Sequence, residues 1–402
     1  MKIQLVPSEL SAKIKVIGIG GAGGNAINDM IRANMVGVDF IAANTDAMSL
    51  ERSLAPVKIQ LGPNVTRGLG AGGNPEVGRE ATREEAERIK QVLSGADMVF
   101  IAAGMGGGTG TGGAPVVAEI SREVGALTVA VVSKPFEFEG KMKARLADKG
   151  IDELRRVADT IITIPNDRLF ALGSKNSRTA DIFSLANEVL GAAVRGISDL
   201  ILVPGFVKVD FADVRTIMKE GGMALMGTGQ ASGSARAMEA ANKAISHPLL
   251  EDISIRGARG ILINITSSPE TFTMEELREV CMIIQNEAHE DALIKWGLVY
   301  DESLQEDLKV TVIATGIGSR TEVSTEDLWR PPAPEPVEAV DELEIPTFMR
   351  RGKDLPRSGA EAGAEKRSAA LSSMPGKKYI VHPDLQYEES ELDTPAFLRK
   401  VE

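Results

Sequence analysis

Residues 104–113 are Gly-Met-Gly-Gly-Gly-Thr-Gly-Thr-Gly-Gly, and most of these positions are glycine. The apolar run 98–103 predicts a buried strand before them, and 114–120 predicts a helix after them, with Pro115 in its first turn. Glycine buries no side chain and costs backbone entropy, so its repetition indicates a backbone pressed against a ligand. Backbone N–H groups at a helix N-terminus are typical of a phosphate site. The alternative, a flexible linker, is disfavoured because linkers rarely separate a buried strand from an apolar helix.

Two further glycine-rich turns belong to the same pattern. A predicted strand leads into Gly-Gly-Ala-Gly-Gly-Asn at 20–25, and the turn 68–75 precedes a charged helix predicted from 76 to about 93. Strands that alternate with helices predict a doubly wound parallel sheet. Ligands of such sheets bind beyond the carboxyl ends of the strands. We therefore expect the three glycine turns to converge on one site, together with Asn166, which follows another predicted strand.

The kind of phosphate ligand is open at this point. Gly18, Gly20 and Gly23 match the G-x-G-x-x-G fingerprint, so a Rossmann dehydrogenase with Asp46 on the ribose is one alternative. That alternative leaves residues 104–113 unexplained. The sequence lacks G-x-x-x-x-G-K-[ST], which excludes a P-loop enzyme. Several glycine turns favour a nucleoside di- or triphosphate held by backbone amides, with Mg²⁺ offsetting its charge.

Composition limits the class of protein. The 402 residues are enough for two or more domains, and the net charge of −12 argues against nucleic acid as the main partner. The one cysteine, Cys281, lies in an apolar helical pattern and fits a reducing compartment. The N-terminus lacks the features of a signal peptide, and no apolar run is long enough to span a bilayer. We expect a soluble, cytoplasmic protein without direct membrane insertion.

The predicted fold class is α/β: a doubly wound parallel-sheet nucleotide-binding domain, a long central helix, a smaller α+β second domain and a disordered C-terminal tail. Composition and periodicity divide the chain into these segments: an N-terminal extension 1–12, the nucleotide-binding domain 13–178, the central helix 179–203, an acidic loop with its following helix 204–220, the α+β domain 221–318, a disordered linker 319–389 and a terminal peptide 390–402.

Two pairs of polar or aromatic residues outside the glycine turns are candidates for function. Phe183 and Asn187 are four residues apart and share one face of the central helix, where Phe183 could pack in the core and Asn187 could meet a base edge. Asp210 and Asp213 have the spacing of a helix cap and its reciprocal carboxylate. The same two carboxylates could polarise a water molecule, and the pattern does not separate these roles.

The C-terminal tail contains a repeated motif. Residues 342–351, Glu-Leu-Glu-Ile-Pro-Thr-Phe-Met-Arg-Arg, match residues 391–400, Glu-Leu-Asp-Thr-Pro-Ala-Phe-Leu-Arg-Lys, nearly position for position. Apolar anchors beside a basic pair are typical of a peptide that docks on a partner.

Taken together, these motifs resemble a known family. Residues 104–112 resemble the tubulin signature, and with 20–25, Asn-Thr-Asp-Ala at 44–47 and 70–78 they resemble the FtsZ family, the bacterial tubulin homologues of cell division. The likeness runs from about residue 13 to 318 and returns in the terminal Thr-Pro-Ala-Phe-Leu-Arg-Lys. The resemblance implies a GTPase that binds GTP or GDP with Mg²⁺ and polymerises head to tail at the mid-cell division site. It also implies that the terminal peptide docks on membrane-tethering proteins such as FtsA.

The resemblance further implies roles for individual residues. Asp210 and Asp213 would position the attacking water on the neighbouring subunit's GTP, Glu139 would meet the ribose, Phe183 would stack near the base and Asn187 would bond guanine. No protein ligand to a metal is assigned. The full predicted nucleotide-binding set is Gly20, Gly21, Ala22, Gly23, Gly24, Asn25, Asn44, Gly72, Gly73, Gly104, Gly106, Gly107, Gly108, Thr109, Gly110, Thr111, Glu139, Lys143, Asn166, Phe183 and Asn187.

Two positions depart from the family pattern. Lys208 stands where the acidic loop usually has asparagine, and Lys143 stands where the family usually has arginine, which removes a bidentate phosphate fork. These two lysines leave open an alternative in which the protein is a GTP-binding filament scaffold with weak hydrolysis.

Overall fold

The computed structural model describes residues 12–171, 178–203, 206–219, 222–250 and 257–317. The predicted linker, its motif copy at 342–351 and the terminal peptide lie outside the described residues, as does nearly all of the N-terminal extension. None of the helices in the described ranges combines the length and apolar character needed to cross a membrane.

The strands and helices alternate through most of the chain. The strands are β1 (Ile14–Ile19), β2 (Val38–Asn44), β3 (Val57–Gln60), β4 (Met98–Gly104), β5 (Leu127–Lys134), β6 (Thr160–Pro165), β7 (Met223–Ala231), β8 (Gly260–Ser267), β9 (Leu293–Tyr300) and β10 (Leu308–Ile317). The helices are α1 (Gly20–Arg32), α2 (Ala47–Glu51), α3 (Pro63–Thr66), α4 (Pro75–Glu84), α5 (Ala86–Leu93), α6 (Thr109–Glu123), α7 (Lys141–Val157), α8 (Thr179–Leu202), α9 (Phe211–Lys219), α10 (Arg236–Ile245) and α11 (Met274–Glu287).

These strands form one mixed sheet with the order β3-β2-β1-β4-β5-β6-β7-β10-β8-β9. The strands from β3 to β7 are parallel, β10 is antiparallel to both of its neighbours, and β8 is parallel to β9. The predicted doubly wound parallel sheet is therefore confirmed. The strands contributed by the second half of the chain continue the same sheet through the β6–β7 pair.

Helices cover both faces of the parallel part because its strands are apolar on both sides. In β5, Leu127 and Val129 pack in a core with α1, α8 and α9, whereas Ala130 and Val132 pack in a second core with α4, α5, α6 and α7. A third core joins α10 and α11 to the strands β7 to β10. The long central helix α8 lies in the first of these cores, as its apolar pattern predicts.

Three predicted elements are wrong, and one strand was not predicted. Residues 20–25, predicted as a turn before a helix, form the start of α1 itself because that helix begins at Gly20. Helix α6 begins at Thr109, inside the glycine stretch, so Pro115 lies in the helix interior and not in its first turn. The charged helix predicted from 76 to 93 is two helices, which meet at Glu85, where the backbone leaves helical geometry. Strand β7 escaped prediction because of its glycines: a Cβ at Gly227 or Gly229 would clash with backbone carbonyls of α10.

Candidate nucleotide site

The three glycine turns are in direct contact at the carboxyl ends of the parallel strands. Gly20 begins α1, and a Cβ placed on it would lie 3.3 Å from the Gly110 nitrogen of the principal turn. A Cβ placed on Gly108 would lie 2.8 Å from the Ala71 Cβ of the third turn. Side chains at these positions would force the turns apart, so glycine is required by close backbone approach.

Internal hydrogen bonds fix the shape of the principal turn. Gly106 has a positive φ of 97°, and its N–H donates to the Thr111 hydroxyl at 2.8 Å. The hydroxyls of Thr109 and Thr45 are 2.6 Å apart and share a hydrogen bond. Thr111 is buried, so its hydroxyl shapes the turn from within, whereas Thr109 reaches the surface of a cleft.

The cleft has a volume of about 280 Å³. At Gly21 and Gly107, no atom of the described residues beyond the adjoining backbone lies within 4 Å of the place where a Cβ would stand, so the backbone there is open toward the cleft. The start of α6 adds the partial positive charge of a helix N-terminus. The predicted residues that line the cleft are Gly20, Gly21, Ala22, Gly104, Gly107, Gly108, Thr109, Gly110, Glu139, Lys143, Asn166, Phe183 and Asn187.

Charged and polar side chains form the opposite wall. The Lys143 ammonium is 2.7 Å from the Glu139 carboxylate, so the two charges largely offset each other. Asn166 is buried, and its Oδ1 has no hydrogen-bond partner among the described residues. A buried polar atom without a partner is costly unless a ligand or water satisfies it. Asn166 and the open glycine cradle together fit a bound nucleotide.

An aromatic and an amide side chain from α8 complete the cleft. Phe183 is 43% exposed, which rules out simple core packing, and its ring meets Phe136 edge-on at 5.4 Å. The Asn187 Nδ2 donates to the Asp29 carboxylate at 3.1 Å, which holds the amide in one orientation. A half-exposed ring beside an oriented amide can stack on a base and bond its edge.

Several predicted residues support the cleft without lining it. Gly23 is buried, and a Cβ there would clash with the Ala102 carbonyl, so its role is packing. The Asn44 Oδ1 accepts from the Asp46 N–H at 3.2 Å. The complete set of predicted residues outside the lining is Gly23, Gly24, Asn25, Asn44, Gly72, Gly73, Gly106 and Thr111.

The cleft also includes residues that the sequence did not reveal. Ser133 and Pro135 line it because β5 pairs with β4, which places the end of β5 beside the principal turn. The sequence did not show that β4 and β5 are neighbours in the sheet. A sequence pattern marks where strands end but does not give their order in the sheet.

A second and larger cavity, of about 390 Å³, lies between α8 and strands of the second half of the chain. Its walls are helix faces and strand side chains, including Asp199 and Thr311, and do not include the glycine turns. Burial raises the pKa of Asp199 to about 6, against the attraction of Arg195 and Lys309. The smaller cleft is therefore the phosphate-site candidate, because it carries the backbone donors.

The acidic pair lies at the start of α9. The Asp210 carbonyl accepts from the N–H groups of Asp213 and Val214 at 3.0 and 3.2 Å, which begins the helix. Among the described residues, neither of the two carboxylates accepts a hydrogen bond from a backbone N–H group at the start of α9. The Asp213 carboxylate instead contacts Lys295, at 3.1 Å, and Asp210 is exposed.

Helix α9 and the cleft lie at opposite edges of the parallel strands. Arg215 donates to the carbonyl of Gly125, which precedes β5, at 3.1 Å. The carbonyl of Met218 accepts from the hydroxyl of Thr160, the first residue of β6. The cleft is formed at the carboxyl ends of these same strands, and the eight residues of β5 span roughly 26 Å. Within one subunit, the acidic pair cannot reach the cleft.

The fold and site thus define a nucleotide-binding protein that holds phosphate with backbone amides at the carboxyl edge of a parallel sheet. Residues 13–174 match the sequence model described as Tubulin/FtsZ family, GTPase domain, and residues 222–318 match that described as FtsZ family, C-terminal domain. A curated relative, the cell division protein FtsZ of Pseudomonas aeruginosa, is 48% identical over 390 residues, which are 97% of either chain. Another, from Buchnera aphidicola subsp. Schizaphis graminum, is 54% identical over 78% of this chain and 82% of that protein.

A solved structure, described as an empty FtsZ dimer from M. jannaschii, has the same fold. It superposes with a TM-score of 0.74 at 46% identity, over 78% of this chain and 90% of that one. The chain belongs to the FtsZ family of tubulin-like cell-division GTPases.

Because the chain belongs to the FtsZ family, it is not the Rossmann dehydrogenase that was one alternative from the sequence. Asp46, the ribose candidate of that alternative, does not line the cleft. It caps α2 by accepting from the N–H groups of Met48 and Ser49. Hydrogen bonds from the hydroxyl and N–H of Ser49 hold the pKa of Asp46 below its usual value.

Proposed function

We propose that this protein binds and hydrolyses GTP, polymerises head to tail, and forms the division ring at the septum. In this proposal Asp210 and Asp213 of one subunit complete the active site on the GTP of the next. The observation that carries it is the placement of the cleft and the acidic pair at opposite edges of one sheet. A contact between unlike surfaces that does not close on itself gives an open filament.

The residues that line the cleft support a role for each of its walls in holding the nucleotide. The backbone amides of the glycine turns hold the phosphates, and Glu139 meets the ribose. Phe183 stacks beside the base, and Asn187 bonds its edge, which would select guanine. Mg²⁺ bound together with the nucleotide would supply positive charge that offsets the phosphates, a task for which Lys143 is poorly placed because it already pairs with Glu139.

A neighbouring subunit would supply the water-orienting carboxylates that the cleft lacks. Glu139 is the carboxylate among the lining residues of the cleft, and its pairing with Lys143 leaves it poorly suited to activate water. Two carboxylates brought by the neighbouring subunit would accept hydrogen bonds from a water and orient it toward the terminal phosphorus. Because each subunit would supply only one of the two walls of the site, hydrolysis would depend on assembly.

A filament scaffold with weak hydrolysis is the second candidate. The observation in its favour is that lysines contact two acidic groups of the proposed machinery, Glu139 and Asp213. A carboxylate oxygen that pairs with an ammonium group is less available to accept a hydrogen bond from the attacking water, which would slow hydrolysis. Measured turnover per assembled subunit separates the two candidates.

The cellular setting is proposed from family membership alone. We place the protein in the cytoplasm at mid-cell, with other copies of itself as its main partner. The peptide at 391–400 would dock on membrane-tethering division proteins such as FtsA, and 342–351 would be a second docking candidate. Deleting each motif separately and measuring recruitment to the membrane tests these two assignments.

Dilution of the purified protein tests the dependence on assembly. With saturating GTP and Mg²⁺, phosphate release per subunit should fall at least about 10-fold when the protein is diluted below the concentration at which light scattering detects filaments. The reason is that isolated subunits lack the second wall of the site. Turnover per subunit that stays flat through this threshold would contradict the trans mechanism.

A further inference from the structure

The ion pair between Lys295 and Asp213 joins the first turn of α9 to a strand from the second half of the chain. Lys295 lies on β9, and its Nζ is 3.1 Å from the Asp213 Oδ2. The side chains are 36% and 40% exposed, respectively, so both are accessible to a neighbouring subunit while they remain in contact. The nucleotide mechanism described above makes no use of this lysine.

The same strand also anchors the loop through its backbone. The Val207 N–H donates to the Leu298 carbonyl at 3.4 Å, and the Leu298 N–H donates to the Val207 carbonyl at 3.0 Å. A Cβ on Gly297 would lie 2.6 Å from Leu200 and 3.2 Å from the Val209 side chain, so the loop packs directly on this glycine. Strand β9 thus contacts the segment before α9 through its backbone and α9 itself through Lys295.

The charge of Lys295 suits a carboxylate that must approach phosphate. An aspartate brought to a nucleotide meets strong repulsion from like charge, and a cation at 3.1 Å offsets part of it. The same contact restricts the orientation of the carboxylate, because a charge-assisted pair has a preferred geometry. Lys208 lies on the loop itself and is exposed, but the cation that contacts Asp213 is Lys295.

We infer that Lys295 is a positioning residue for hydrolysis, which holds the Asp213 carboxylate in the orientation that the neighbouring subunit's GTP requires. This inference rests on the proposed function, because it assumes that Asp213 acts in trans. It makes β9 part of the catalytic face of the subunit.

Substitution of Lys295 tests the inference with the full-length protein. Lys295→Met keeps the length of the side chain and removes its charge, so kcat per assembled subunit should fall about 10-fold while the assembly threshold changes less than about twofold. Lys295→Arg should recover at least about half of the lost turnover, because it restores the charge. The measurements are phosphate release and light scattering over a series of protein concentrations.

Lys243→Met is the matched control, because Lys243 also pairs with a carboxylate, Glu239, at 3.5 Å on α10. It should leave turnover unchanged. In an Asp213→Ala background, Lys295→Met should cause no additional loss, because the two residues act as one unit. Normal turnover in Lys295→Met, or equal losses in the Met and Arg variants, would overturn the inference.

Different results would contradict the trans mechanism and the positioning role of Lys295. If Asp213→Ala retains normal turnover, the trans mechanism itself is wrong. If Asp213→Ala is inactive and Lys295→Met has normal turnover, only the role of Lys295 is wrong.

Discussion

Asp213→Ala should lower GTP turnover at least about 100-fold at a protein concentration that supports assembly. The variant removes the carboxylate that would orient the attacking water, and it leaves the cleft of its own subunit intact. GTP affinity should therefore stay within about threefold of the parent value. Loss of a half-exposed ion pair should change the free energy of unfolding by less than about 1 kcal/mol. Phosphate release, nucleotide-binding titration and thermal unfolding measure the three effects.

Asp148→Ala is the control for Asp213→Ala. Asp148 is also a partly exposed aspartate in an ion pair, with Lys134 at 2.6 Å, and it lies on α7 instead of the acidic loop. Its turnover should equal that of the parent protein. Turnover near the parent level in Asp213→Ala would leave Asp213 as an ordinary residue of the first turn of α9.

Gly107→Val should lower the affinity for GTP at least about 100-fold, or ~2.7 kcal/mol. Gly107 lines the cleft, and no described atom outside its chain neighbours lies within 4 Å of the position that a Cβ would take, so the valine side chain would occupy space proposed for phosphate. Its φ is not positive, and the subunit should fold without strain there. Hydrolysis by the variant alone should be lost with binding, as measured by phosphate release and nucleotide titration.

Gly257→Val is the matched control for Gly107→Val. At Gly257, too, no atom of the described residues outside its chain neighbours lies within 4 Å of the Cβ position, but Gly257 lies before β8 and does not line the cleft. Its GTP affinity should be unchanged. If Gly107→Val binds GTP as the parent does, with its melting temperature preserved, the phosphates lie elsewhere.

Much of the fold follows from local patterns in the sequence. Strands β1, β4 and β5 are short runs of apolar residues, which distinguish buried parallel strands from amphipathic helices. The glycine turns after β1 and β4 mark the carboxyl edge, where ligands bind such sheets. These signals were sufficient for the sheet type, for α8 and for the glycine-rich part of the cleft lining, whereas Glu139 and Lys143 were assigned from the resemblance to the FtsZ family.

The features that local sequence patterns did not predict depend on contacts between distant segments. The start of α6 at Thr109 could not be predicted from propensity, because glycine disfavours helices and only packing against the third turn makes helical backbone favourable there. The partner of Asp213 could not be predicted for a similar reason: it is Lys295 on β9, a distant segment. Neighbouring residues gave no indication of that pairing.

A mixing experiment tests the shared active site most directly. Asp213→Ala keeps its cleft and lacks the catalytic carboxylate, whereas Gly107→Val keeps the carboxylate and lacks the cleft. In filaments that contain equal amounts of both, confirmed by co-sedimentation, about a quarter of the interfaces should join an intact cleft to an intact acidic loop. We predict that turnover recovers to about a quarter of the parent value, although each variant alone is inactive. Co-sedimented filaments with no recovered turnover would contradict a site built from two subunits.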